Sequence, residues 1–137
     1  MISESGESWG GKAEKSIGCI VVADVDETVF LMTRQLTAPD RWEVVYAADA
    51  GELLRTVIVK PVKLVIVSLA ILNESPLVAQ ELVARSRRGL RLVVTSEEHC
   101  EVNERRARLV GPVYYAPKPV NISVLSDVID SALVAIG

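Results

Sequence analysis

The sequence predicts an α/β fold, a three-layer doubly wound (βα)5 sandwich, on three observations. Apolar runs of strand length recur at 17–23, 64–69, 90–95 and 113–116, with a fifth, half-polar one at 42–47. The runs at 17–23, 64–69 and 90–95 are rich in Val, Ile and Leu with few interruptions, which means that both faces are covered, as in a parallel sheet between helices. Segments of helical spacing lie between the runs on short connections, and five strand-helix repeats are most economically arranged as a right-handed doubly wound sheet.

Each helical segment carries its own signals. Val29, Met32 and Leu36 recur at i, i+3 and i+7, and Pro39 stops that helix. Asp49 is placed to cap a second segment, in which Leu53, Leu54, Val57 and Ile58 share a face before Pro61 breaks it. In the third, Ser75 is the cap and Pro76 the first helical residue, with Val78, Leu82 and Val83 facing inward. The fourth, 97–109, has only Val102, Ala107 and Leu109 as apolar positions and is expected to be the least buried. Its acids come early and its arginines late, which suits the helix dipole, and Glu101–Arg105 and Glu104–Arg108 are i, i+4 pairs. Asn121 opens the last helix, where Val124, Leu125, Val128, Ala132, Leu133 and Ile136 form an apolar stripe and Asp127 and Asp130 face outward. Arg85, Arg87, Arg88 and Arg91 gather at a helix-to-strand corner and read as a solvated face.

Composition excludes several classes. The chain of 137 residues is one domain's length, read as an arm over 1–16 without secretory character and a body over 17–137. Half of the residues are apolar but only 4% aromatic, so the core must be aliphatic. No apolar run approaches the roughly 20 residues needed to cross a bilayer. Cys19 and Cys100 have neither metal-ligand spacing nor a disulfide framework, and a reducing cytoplasm is the expected setting. A net charge of −3 gives no overall electrostatic reason for direct nucleic-acid binding. Ligands of doubly wound sheets sit at the carboxyl ends of the strands. There the sequence places Asp24, Asp26, Ser68, Thr95, Ser96 and Lys118.

Three stretches have a familiar order. Trp42-Glu43-Val44-Val45-Tyr46-Ala47-Ala48-Asp49-Ala50-Gly51-Glu52-Leu53-Leu54 reads as strand, turn and helix; Thr95-Ser96 ends the fourth strand, and Lys118-Pro119 follows the fifth. Together they make the chain, from 17 to 136, resemble the receiver domain of bacterial two-component response regulators. The resemblance implies a flavodoxin-like fold with a five-stranded parallel sheet of order 2-1-3-4-5. It also implies an aspartate at the end of the third strand that takes phosphate from a histidine kinase, an acidic pair that holds magnesium, and a lysine at the phosphoryl group. Tyr115 falls where the family has a switch aromatic that follows Thr95; the other reading is a plain strand aromatic.

The chain departs from this pattern at the phosphoacceptor. Lys63-Leu64-Val65-Ile66-Val67-Ser68-Leu69 puts Ser68 there. A carboxylate attacks phosphorus as an anion, whereas a serine hydroxyl is protonated at neutral pH and needs a neighbouring base. The one histidine, His99, begins the exposed fourth helix. Ser68 is therefore read as a hydroxyl bonded to nearby backbone, with modification of Ser68 itself as the alternative. In Asp24-Val25-Asp26 the helical register aligns Val25 with the second acid of the pair. With ligands missing at Val25 and Ser68, no metal or other cofactor is expected, and Asp24 and Asp26 are left as weak magnesium candidates. Lys118 is then expected to pair with Asp24.

The expectation that follows is a degenerate receiver, or pseudo-receiver, that is not an enzyme and works as an interaction module in bacterial signalling or transcriptional control. Its partner or dimer surface would be the face of the fourth helix, fifth strand and last helix, with any output domain outside this chain, and it would bind no membrane. A second reading rests on Val21-Val22-Ala23-Asp24-Val25-Asp26-Glu27-Thr28-Val29, which resembles the Asp-x-Asp-x-Thr opening of haloacid-dehalogenase-type phosphatases. That family would make Asp24 the nucleophile and Asp26 a general acid with magnesium, but only Asp127 and Asp130 remain for its late acidic pair. A third reading is a structural dimerisation adaptor.

Overall fold

A computed structural model describes residues 18–134 with the exception of His99 and Val113. The arm expected over 1–16, together with Ile17, His99, Val113 and Ile136, lies outside the described residues. In chain order the elements are β1 (Gly18–Ala23), α1 (Thr28–Leu36), β2 (Trp42–Ala47), α2 (Ala50–Val59), β3 (Val62–Ser68), α3 (Leu69–Glu74), α4 (Pro76–Ser86), β4 (Arg91–Ser96), α5 (Glu101–Arg108), β5 (Tyr114–Pro117) and α6 (Ile122–Val134). The five strands are parallel in the order β2-β1-β3-β4-β5. That is the predicted doubly wound sheet, with the switch point between β1 and β3.

Alternation along the strands builds two cores. Val21, Ala23, Val65, Val67 and Val94 belong to the core on one face of the sheet, with Leu53 and Val57 of α2, Ile71 of α3, Leu82 of α4 and Ala107 of α5. Ile20, Val22, Leu64, Ile66 and Val93 belong to the other, with Val29 of α1 and Leu125 and Ile129 of α6. At the start of β1 the backbone comes close to its neighbours: a Cβ on Gly18 would lie 2.7 Å from Lys63 Cγ. No helix among the described residues is long and apolar enough to cross a membrane.

The cap residues read from sequence act as caps. Asp49 accepts from the Glu52 N–H at 2.8 Å, Ser75 from Val78 at 3.4 Å, and Asn121 from Ser123 at 2.8 Å. Both i, i+4 pairs of α5 form, at 3.3 and 2.9 Å.

Other readings need correction. The third strand ends at Ser68 rather than Leu69, because Leu69 starts α3, a helix in which Leu69, Ile71 and Leu72 are buried. The fourth helix starts at Glu101, so Glu97 belongs to the loop after β4. Ile58 is exposed, since Leu53 and Val57 define the buried stripe of α2 and the next residue turns about 100° away. Val124 is likewise exposed beside buried Leu125 and Ile129. In the fourth helical segment Val102 and Leu109 are exposed, Leu109 at 82%, and Ala107 is the buried residue of α5, in agreement with the expectation that this helix is the least buried.

Candidate functional site

The parallel strands deliver polar residues to one edge of the sheet. Asp24 follows β1, Ser68 ends β3, Thr95 and Ser96 end β4, and Lys118 follows β5. The Lys118 backbone N–H donates to the Ser96 carbonyl at 2.8 Å, which ties the end of β5 to that of β4. The Lys118–Pro119 peptide is cis.

Lys118 is the centre of the site. Its Nζ lies 2.6 Å from Asp24 Oδ2, 2.9 Å from Glu97 Oε2 and 3.9 Å from Asp26 Oδ2. The Asp24 side chain is 2% exposed and that of Lys118 12%, whereas Asp26 and Glu97 reach solvent. The other Asp24 oxygen, Oδ1, accepts from the Val25 N–H at 2.6 Å, so both carboxylate oxygens are engaged. Burial alone would lower the pKa of Lys118, but its hydrogen bonds to Asp24 and Glu97 and the charges of both outweigh it and raise the group above its ordinary 10.5. The Asp26 carboxyl is held below its ordinary 3.8 by hydrogen bonds from Thr28, the backbone N–H first, at 2.9 Å.

Tyr46 adds a tether that the sequence did not announce. Its hydroxyl donates to the Asp24 carbonyl at 2.8 Å, and its ring lies 5.5 Å from that of Phe30 in α1. Burial, followed by the negative charges of Glu27, Asp24, Asp26 and Glu52, raises the phenol's pKa. The proton that holds the β1–α1 loop is therefore retained throughout the neutral range.

Ser68 and Thr95 are register partners on adjacent strands, and both are buried. Ser68 Oγ accepts from the Ile71 N–H at 3.3 Å and caps α3. Thr95 Oγ1 has no hydrogen-bond partner among the described residues. Buried hydroxyls rarely go unsatisfied, and such a group marks either strain or a place that serves another state of the molecule. Tyr115, the register partner of Val94, is buried in the core shared with α2 to α5.

Asp24, Asp26 and Glu97 each offer a carboxylate oxygen within 4.8 Å of the others. This donor set suits a hard divalent cation such as magnesium. The Lys118 ammonium, however, is already paired with the Asp24 and Glu97 carboxylates, so an entering ion must compete with it or displace it.

Of the residues singled out in the sequence, Asp24, Asp26 and Lys118 are brought together, and Ser68 and Thr95 lie side by side on the neighbouring strands. Asp127 and Asp130 are not near them. Asp127 lines a pocket with Arg91 and Tyr114, and Asp130 one with Arg41 and Trp42, all at the opposite edge of the sheet. Glu97 was missed as a member of the site because its segment reads as helix; its place two residues after Thr95 at a strand end was the available signal.

No family model matches the chain, and no curated protein matches it. Solved structures do. A CheY-like response regulator receiver domain protein of Methanospirillum hungatei JF-1 has a TM-score of 0.70 at 22% identity, covering 87% of this chain and 95% of that one. The signal receiver domain of an HD domain-containing protein of Pseudomonas fluorescens Pf-5 has a TM-score of 0.71 at 19% identity, covering 85% and 94%. The chemotaxis response regulator CheY4 of Vibrio cholerae has 0.69 at 16%, covering 85% and 99%. At these identities the likeness is one of fold, and the fold is that of the CheY-like receivers.

Proposed function

We propose that this chain is a pseudo-receiver, a receiver-like module of two-component signalling that works without phosphorylation in the usual way and is not an enzyme. The observation that carries the reading is the Lys118 cluster. In a receiver, a lysine here would meet an incoming phosphoryl group beside a metal ion; in this chain its charge is already neutralised by Asp24 and Glu97. The position of the phosphoacceptor holds Ser68, whose hydroxyl caps a helix and would need a neighbouring base to act as a nucleophile. Magnesium binds weakly at most, because Lys118 competes for its ligands.

The signal then passes through surfaces rather than chemistry. The α5–β5–α6 face carries exposed Val102, Leu109, Tyr114 and Ile122 and is assigned to a protein partner or a second copy, with any output domain outside this chain. Thr95 and Tyr115 are the pair whose packing such a partner biases. The setting is the cytoplasm, and neither a membrane nor nucleic acid is a direct ligand. The phosphatase reading is disfavoured by the distance of Asp127 and Asp130 from Asp24 across the sheet.

The test is a titration with magnesium and beryllofluoride followed by amide NMR. The expected result is no saturable shift at Asp24, Ser68, Thr95 or Lys118. Saturable shifts there would mean that an aspartate accepts a phosphoryl mimic, and the proposal fails. If Ser68 is modified instead, a phosphate-dependent mass increase appears and is abolished by Ser68→Ala.

A further inference from the structure

The opposite edge of the sheet holds a pocket that none of this function uses. It lies between the α2–β3 and α4–β4 turns, has a volume of about 210 Å³, and is lined by Lys60, Lys63, Arg85 and Arg88 together with Val57 and Leu90. No acidic residue among the described residues lines it. We infer that this pocket binds the anionic head group of a small phosphate monoester.

The four cations are not equivalent. Lys60 is paired with Glu43 at 3.0 Å, and Arg85 with Glu81 at 2.6 Å, through acids that lie outside the pocket. Arg85 also donates to the Val57 carbonyl at 3.3 Å, which meets the partial negative charge at the end of α2 and fixes the guanidinium. That leaves Lys63 and Arg88 with no acidic partner among the described residues. Two such cations match the two charges of a phosphate monoester.

The helix dipole accounts for basic residues near a helix C-terminus but not for this arrangement. Lys63 lies inside a strand and Arg88 beyond a helix. The turn that carries Arg88 is built rigidly: Gly89, at φ 109°, takes a conformation that favours glycine, and the Leu90 N–H closes the turn onto the Arg85 carbonyl at 3.1 Å. A preformed backbone turn needs no ordering when the anion arrives, which leaves the Lys63 and Arg88 side chains as the groups to be fixed. The volume is below the roughly 300 Å³ at which pockets enclose a drug-sized ligand, so it takes a head group and leaves a larger body outside.

The test is an amide NMR titration of the full chain with glycerol phosphate, against sodium chloride at matched ionic strength. Saturable shifts confined to 60–63 and 85–90 are expected, with none at Asp26 or Glu97. In the Lys63→Gln, Arg88→Gln variant, which keeps much of both aliphatic stems, the affinity should fall about tenfold or more, the scale of one or two charged hydrogen bonds. The undisturbed remainder of the spectrum reports that this variant is folded. Equal shifts with chloride, or unchanged affinity in the variant, would overturn the inference. Tighter binding of a DNA duplex at the same residues would overturn it too, and would make the corner a nucleic-acid contact. Beryllofluoride does not enter this experiment, so the inference stands or falls apart from the proposed function.

Discussion

The two edges of the sheet carry opposite charge and treat it differently. At the carboxyl edge, Asp24, Asp26 and Glu97 converge on Lys118, Glu27, Asp49 and Glu98 stand in the same set of loops, and Glu52 lies in the first turn of α2. At the amino edge, Lys63, Arg87, Arg88 and Arg91 have no acidic partner among the described residues. One rule favours both signs, although it does not by itself place Lys63 or Arg88. In a parallel sheet every crossover helix points back along the strands, so helix N-termini, which favour acids, gather at one edge and C-termini, which favour bases, at the other. The rule does not decide who pairs. At the carboxyl edge acids and base meet and neutralise one another, whereas at the amino edge Lys63 and Arg88 share a pocket with paired Lys60 and Arg85 and have no acid of their own.

The largest effect that would sharpen this contrast is expected from Lys118→Met. It leaves Asp24 buried without its cation, a change that costs about 3–5 kcal/mol, read as a lower urea midpoint at pH 7. Magnesium should then recover part of that loss in the variant while leaving the parent unchanged; no difference between the two would mean that Lys118 does not compete for the metal ligands. The cluster also sets limits in pH. Lys118 is raised above 10.5, so its contribution is whole below that value and is lost as the pH climbs through the raised pKa. Asp26 is lowered below 3.8, so its contribution is present above that value and disappears on further acidification. Neither group should give a slope between the two values in a stability profile, and a steep slope near neutrality would point to another group.

Smaller effects follow at the strand ends and the far edge. Ser68→Ala removes the cap of α3 and should cost about 1 kcal/mol in denaturant unfolding, whereas a neutral result would deny the cap any weight. Thr95→Val replaces a buried hydroxyl without a partner by a methyl group of similar shape and should be neutral or stabilising by up to about 1 kcal/mol. A clear loss of stability there would show that the hydroxyl is bonded after all. Arg88→Gln should move stability by no more than about 0.5 kcal/mol, which would leave the amino edge free to evolve for binding.

Much of this was legible before the structure. Strands written in Val and Ile read directly as buried on both faces, and Asp49, Ser75 and Asn121 read as caps because their side chains bond locally. What was hidden depended on contacts remote in sequence. Glu97 belongs to the site only because β5 brings Lys118 beside it, a separation of 21 residues. Tyr46 reaches the Asp24 carbonyl across the pairing of β1 with β2, which is invisible in its own neighbourhood. Leu69 looked like strand because a short helix of buried apolar residues has the same composition.

The helix α5 is fastened to the body through Ala107, one methyl group, while its outer face is held by ion pairs exposed to salt. Such a segment opens locally at a small fraction of the free energy of global unfolding. Its amides should exchange with deuterium well ahead of those in β1 and β3, and a partner seated on Val102 and Leu109 would announce itself first by slowing that exchange.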